Sequence, residues 1–208
     1  CQLRLTGYEL TGPGQRFQIN DRAWVELPLL GRHNAFNALA AIAVAQRFGF
    51  NQDDAAAALA DFSGVSMRLE PVDIGAVRVI NDAYNANPAS MRAAWEVMCD
   101  LPASRRVLVL GDMRELGPKA EAYHRELGEL IADGPADLVI GVGELGTLIA
   151  ESAGPAPTAT FETTDAAMTA IASLLRDGDL ILLKGSRSMG LDRLLEPIRE
   201  AFGAGDKE

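Results

Sequence analysis

Residues 77–91 read Val77-Arg78-Val79-Ile80-Asn81-Asp82-Ala83-Tyr84-Asn85-Ala86-Asn87-Pro88-Ala89-Ser90-Met91, and this stretch decides the fold. Val77–Asn81 is short, apolar and β-branched, as a strand buried on both faces should be. Asn87 is a natural N-cap and Pro88 a natural first helical residue. Met91, Ala94, Trp95 and Met98 then recur at helical spacing as one apolar stripe. A strand, a polar loop and a capped helix make one βα unit.

The same alternation continues to the end of the chain. Strands are expected at 77–81, 106–110, 137–141, 158–161 and 179–183, and helices at 88–99, 119–132, 144–152, 165–175 and 190–202. Leu191, Leu194, Leu195, Ile198 and Phe202 form the stripe of the last helix. Repeated βα units give an α/β fold: a Rossmann-like, doubly wound and mostly parallel sheet. Upstream, residues 3–29 alternate apolar pieces with turn signals (Thr11-Gly12-Pro13-Gly14, Asn20-Asp21), which reads as two or three short strands. From Gly31 the period becomes helical. Phe36, Leu39, Ala40 and Ala43 stand at i, i+3, i+4 and i+7, and Asn51 can cap a second helix through Ala55–Phe62. Ser63-Gly64-Val65-Ser66 breaks the pattern. The expected organisation is a strand-and-helix domain at 1–66, a linker at 67–76 and a Rossmann-like domain at 77–208.

Composition excludes several classes. With 48% apolar and 23% charged residues the chain is ordinary globular material. No apolar run approaches the length of a membrane span, and the N-terminus lacks a signal-peptide layout. The first residue is Cys1 rather than Met, so a fragment or a processed product is expected. Cys1 and Cys99 are too few for a disulfide framework, which favours a reducing, cytoplasmic setting. The formal charge is −10, and the acidity is concentrated after residue 70. Such a surface disfavours nucleic acid, which needs Lys and Arg against its phosphates. Only Lys119, Lys184 and Lys207 are lysines, so a lysine inside a motif stands out.

Ligands of open α/β sheets bind outside the carboxyl ends of the strands. Asn81–Asn87 places Asp82, Tyr84 and Asn85 there, where a carboxylate suits ribose hydroxyls and an aromatic ring suits a base; capping explains Asn87 by itself. Lys184-Gly185-Ser186-Arg187-Ser188 gathers donors suited to a carboxylate or phosphate, or forms a basic cap. Gly31-Arg32-His33-Asn34-Ala35-Phe36-Asn37 puts two amides on one face of a first helical turn, suited to an adenine edge or to capping. Gly141-Val142-Gly143-Glu144-Leu145-Gly146, with Glu162 about twenty residues on, has the form of a dinucleotide-binding fingerprint. It also reads as a tight strand-to-helix turn, and Glu144 would face the pyrophosphate. In the segment Gly111–Gly117, with the later His124, Asp112 and Glu115 could touch a metal or orient Arg114, or the loop is simply solvated. No Gly-Lys dipeptide exists, so there is no G-x-x-x-x-G-K-[ST] phosphate loop.

Taken jointly, Gly31–Ala41, Met67-Arg68-Leu69-Glu70, Asn81–Met91, Leu110–Gly117 with His124, and Leu183–Leu191 resemble the Mur ligase family, in the family's order. Tyr84-Asn85-Ala86-Asn87-Pro88 and Lys184-Gly185-Ser186-Arg187-Ser188 are similar to the branch that adds D-alanyl-D-alanine to UDP-N-acetylmuramoyl-tripeptide in peptidoglycan precursor synthesis. Asn81-Asp82-Ala83 departs from the family's more frequent Asp-Asp-Ser while keeping Asp82.

The resemblance implies an ATP-dependent ligase that works through an acyl phosphate. It implies that this chain matches the tail of the central ATPase domain and the whole C-terminal domain. The N-terminal domain, the phosphate loop, the carbamylated lysine and the Mg2+ ligands would then lie upstream, and the chain alone should be inactive. Carried over by motif, Arg68 and Lys184 are the catalytic candidates. His33, Asn34, Asn37, Arg68, Asp82 and Tyr84 are expected to bind ATP, with Asn34 and Asn37 at the adenine, Arg68 at the phosphates and Asp82 at the ribose. Asn85, Asn87, Lys184, Ser186 and Arg187 are expected at the peptide substrates, and no metal ligand is assigned. An NAD(P)-dependent oxidoreductase using Gly141–Gly146 and a non-catalytic nucleotide-binding module stand as alternatives.

Overall fold

The computed structural model describes residues 3–203 apart from Pro13 and Ala23. Cys1 and Lys207 lie outside the described residues. The chain forms two compact units, divided between Val65 and Ser66.

In the first unit an antiparallel meander of β1 (Leu5–Thr11), β2 (Gly14–Ile19) and β3 (Trp24–Leu27) precedes α1 (Arg32–Arg47) and α2 (Gln52–Ala60). Phe17, Ile19, Val25 and Leu27 pack with Ala35, Ala38 and Ile42 in one core. Asn51 caps α2 by accepting from the Asp54 amide. The expected face of α1 is corrected: Phe36 is 50% exposed, and the buried stripe is Ala35, Ala38 and Ile42. An alanine-rich helix offers two apolar stripes, and small side chains at 35 and 38 let it lie close on the strands.

The second unit holds β4 (Glu70–Ile74), β5 (Val77–Asn81), α3 (Pro88–Asp100), β6 (Arg105–Gly111), α4 (Ala120–Ala132), β7 (Leu138–Val142), α5 (Glu144–Ser152), β8 (Thr158–Phe161), α6 (Thr164–Leu174), β9 (Asp179–Lys184) and α7 (Leu195–Phe202). The sheet order is β4-β5-β9-β6-β7-β8; β4 runs antiparallel to β5, and the other pairs are parallel. Every residue of β7 and β9 is buried. Val79, Val107, Val109, Ile140, Ile181 and Leu183 face a core that also takes in Ala167, Ile171, Leu194 and Ile198. The intervening Ile80, Leu108, Val139 and Leu182 are buried too, so by the period of a strand both faces of the sheet are covered. Each such aliphatic side chain contributes about 1.5–3 kcal/mol.

Two expectations need correction. Residues 67–76 are not a free linker, because Glu70–Ile74 is the edge strand β4, with Pro71 in the one kind of strand that tolerates it. Gly75 turns β4 into β5, with φ +51° and no room for a side chain, since a Cβ there would lie 1.9 Å from the Phe202 carbonyl oxygen. The last helix does not begin at 190. Two short 3-10 turns, Arg187–Met189 and Leu191–Leu194, flank the left-handed Gly190, and α7 starts only at Leu195. Pro197 explains the late start, since it is tolerated in a first helical turn and would clash deeper in a helix. Among the described residues no helix is long and apolar enough to cross a membrane.

β9 lies between β5 and β6, so the strand order reverses there, and the loops after these three strands share one end of the sheet. That is where an open α/β sheet forms its crevice.

Candidate functional site

Three loops build the site of the second unit: 82–87 after β5, 112–117 after β6 and 185–189 after β9. At its centre the Lys184 ammonium donates to Asp82 Oδ2 at 2.6 Å and to the Asn85 carbonyl at 2.9 Å. The Lys184 side chain is 1% exposed and that of Asp82 14%. Burial pushes the Lys184 ammonium below its ordinary range, the Asp82 carboxylate opposes this, and the nearby Arg68 charge adds to it. Lys184 was expected to meet a substrate carboxylate directly. In the structure the ammonium is enclosed and donates to Asp82 and to the loop backbone.

Asp82 Oδ1 accepts from the Leu69 amide at 3.2 Å, and the Asp82 amide donates to the Leu183 carbonyl. Next to it, the Arg68 guanidinium sits 4.4 Å from the centroid of the Tyr84 ring, a cation–π contact. Arg68 thus covers one face of the Tyr84 ring. Arg68 is flanked by Met67 at φ 60° and Leu69 at φ 49°, two side-chain-bearing residues in the left-handed region. Each such conformation costs roughly 1–3 kcal/mol and persists only where the surroundings hold it.

Arg187 is exposed; its guanidinium donates to Asp192 Oδ1 at 3.1 Å and lies 3.0 Å from Met67 Sδ. Ser186 is buried, and its hydroxyl oxygen accepts from the Arg114 amide at 2.8 Å. Asn87 spends its side chain on α3: Oδ1 accepts from the Ser90 amide, and the Ser90 hydroxyl accepts from the Asn87 amide, a reciprocal cap. Asn85 Oδ1 accepts from the Ala86 amide, so its carbonyl and side chain shape the loop around Lys184. Met67, Arg68, Asp82, Tyr84, Asn85, Lys184 and Arg187 are thus brought together.

The first unit carries His33, Asn34 and Asn37 in the opening turns of α1. Asn37 donates to Asn34 Oδ1 at 3.1 Å, and Asn34 donates to the Leu30 carbonyl at 2.8 Å. The helix has no side-chain cap, so Asn34 does not serve as one. His33 is exposed beside them.

The glycine-rich turn 141–146 has a structural explanation. The amides of Leu145 and Gly146, at the N-terminus of α5, both donate to Asp112 Oδ1, at 3.0 and 2.8 Å. The seat where a dinucleotide pyrophosphate would bind is filled by the chain's own carboxylate. A Cβ on Gly141 would lie 2.4 Å from the Gly146 carbonyl oxygen, and one on Gly143 2.4 Å from Asp112 Oδ1. The glycines therefore serve close packing.

Asp112 also pairs with Arg114 at 3.1 Å, and its carbonyl accepts from the Ser186 amide. His124 is fully buried; Nε2 accepts from the Met113 amide at 2.8 Å and Nδ1 faces the Ala120 carbonyl at 2.6 Å. Those partners require the neutral ring with its proton on Nδ1. Asp112 and His124 thus pin the 112–117 loop, a role that their spacing in sequence did not reveal. Among the described residues no group of three or more His, Cys, Asp or Glu side chains is arranged to hold a metal ion.

An open α/β sheet with its polar site at the strand reversal matches a known class. Residues 67–187 match the family described as "Mur ligase, glutamate ligase domain", and the chain belongs to that family. A UDP-N-acetylmuramoyl-tripeptide–D-alanyl-D-alanine ligase of Bacillus subtilis (strain 168) is 39% identical over 182 residues, covering 84% of this chain and 40% of that protein. A crystal structure of MurF from Acinetobacter baumannii superposes with a TM-score of 0.85 at 31% identity, covering 96% of this chain and 45% of that one. The MurF ligase of Thermotoga maritima in complex with ADP shares the fold, with a TM-score of 0.81 at 21% identity. The chain spans less than half the length of each of these relatives.

Proposed function

We propose that this chain works as part of a cytoplasmic, ATP-dependent ligase that joins D-alanyl-D-alanine to UDP-N-acetylmuramoyl-tripeptide. The observation that carries the reading is the buried Lys184–Asp82 pair beside Arg68 stacked on Tyr84, at the carboxyl ends of β5 and β9 in a Mur ligase domain. ATP supplies the phosphoryl group that activates the tripeptide's terminal carboxylate.

In this reading Arg68 presents its guanidinium to the ATP phosphates from a platform formed by Tyr84. Asp82 takes ribose hydroxyls; a carboxylate has about four acceptor sites, and Lys184 with the Leu69 amide fixes how they point. In the first unit Asn34 and Asn37, with His33 beside them, present donors and acceptors suited to an adenine edge. The dipeptide offers a neutral amine for attack and an anionic carboxylate for binding. Arg187 and the Ser186 hydroxyl take that carboxylate, and Lys184 acts as a positioning residue through Asp82 and Asn85.

In this reading the chain contributes nucleotide- and substrate-binding residues, and, without a phosphate-loop motif in its sequence, it is expected not to catalyse by itself. The experiment is a coupled ADP-release assay on the full-length protein, in which release requires both the tripeptide and the dipeptide. Release that depends on neither would overturn the reading.

A further inference from the structure

Met67 and Leu69 hold left-handed backbone on either side of Arg68, and neither is a residue type that favours it. The contacts that maintain Met67 converge on one atom. Glu70 Oε2 accepts from the Met67 amide at 2.8 Å, from the Ser66 hydroxyl at 3.0 Å and from Asn81 Nδ2 at 3.3 Å. On the far side of Arg68, the Leu69 amide is held by Asp82, and the Leu69 side chain is buried. The Met67 carbonyl accepts from the Tyr84 amide, so the loop is fastened to the residue whose ring the guanidinium covers. Glu70 itself opens β4 opposite Asn81 and is anchored by the sheet.

We infer that Glu70 is a positioning residue for Arg68: its carboxylate straps the 66–67 backbone in the left-handed turn that sets the guanidinium on Tyr84. The inference rests on the proposed role of Arg68 at the ATP phosphates. A carboxylate suits the task because all three partners are donors and a charged acceptor holds them more tightly than an amide oxygen. Glutamine at this position would place an NH2 group among groups that are already donors.

The test has two arms. In the full-length enzyme, Glu70→Ala is expected to lower kcat about tenfold, and the Arg68→Ala, Glu70→Ala double variant to be no slower than Arg68→Ala alone. Losses that multiply, or a Glu70→Ala enzyme with unchanged kcat, would overturn the inference. In the second arm the Met67 amide of Glu70→Ala exchanges with solvent at least tenfold faster than in the parent, while the amide of Val109 in the central sheet keeps its rate. An unchanged Met67 rate also overturns it. Should Glu70→Ala fail to fold, Glu70→Gln carries the same readouts. A parent enzyme without dipeptide-dependent ADP release would count against the ligase reading, and the exchange arm would still decide the strap.

Discussion

The Lys184 ammonium lies 2.6 Å from the Asp82 carboxylate, and the two residues come from adjacent strand ends 102 positions apart in sequence. Breaking one side of a buried pair leaves an uncompensated charge, at a cost of roughly 3–5 kcal/mol. Lys184→Met is therefore expected to lower the urea midpoint strongly. Adding Asp82→Asn should recover part of the loss, since the orphaned carboxylate is then gone. A double variant less stable than Lys184→Met would contradict the pairing.

Much of this arrangement was legible in the sequence, and the omissions have physical causes. The βα alternation after residue 77, the cap at Asn87-Pro88 and the stripe Met91, Ala94, Trp95 and Met98 follow from local chemistry, and the structure has them. The break at Ser63–Ser66 makes 67–76 look like linker, and β4 shows only through its pairing with β5, where Pro71 is tolerated at the sheet edge. The motifs pointed to the right loops but not to who pairs with whom. Lys184 and Asp82 were assigned to different ligands, because nothing in a linear sequence shows that β5 and β9 are neighbours. The sequence offers Asp112 as a partner for a metal or for Arg114, and its contact with the α5 amides is a tertiary fact of the same kind.

Asp112 decides the fate of the glycine-rich turn. Asp112→Ala removes the acceptor for the Leu145 and Gly146 amides and should cost about 1–3 kcal/mol of stability, read by urea denaturation. NADH titrated against the unmodified chain and followed by Trp24 and Trp95 fluorescence should give no saturable change. Saturable binding would mean that the turn accepts a dinucleotide after all.

His124 gives the second unit a pH dependence. Burial holds the ring below its ordinary value of 6.5, with Arg114 adding to this while the Ala120 carbonyl and Asp112 oppose it. On acidification the unfolded chain takes up the proton first. The contribution of His124 is therefore whole above pH 6.5 and is lost as pH falls through the lower folded value. Protonation would aim an N–H at the Met113 amide, so the 112–117 loop should loosen first. The stability difference between the parent and His124→Ala should shrink as pH falls below 6.5. A difference that stays constant would show that the ring does not titrate there.

Arg187 carries the expectation for the dipeptide. One charge-assisted hydrogen bond to its carboxylate is worth about 1.5–3 kcal/mol. In the full-length enzyme Arg187→Ala should then raise the dipeptide KM roughly ten- to a hundredfold and leave the ATP KM nearly unchanged. A rise in the ATP KM alone would move Arg187 to the nucleotide.

In the proposed dipeptide-adding ligase Arg68, strung between Glu70 and Asp82 and stacked on Tyr84, serves phosphoryl transfer. The most direct measurement is ADP release by the full-length enzyme with ATP, UDP-N-acetylmuramoyl-tripeptide and D-alanyl-D-alanine, comparing the parent with Arg68→Ala and with the isolated 208-residue chain. Removing a positioned guanidinium from a transferring phosphoryl group costs on the order of 10³-fold or more in kcat. The account predicts dipeptide-dependent release by the parent, a kcat for Arg68→Ala reduced by at least that order, an unchanged fold, and background release from the isolated chain. Near-normal kcat in Arg68→Ala, or substrate-dependent release by the isolated chain, would contradict it.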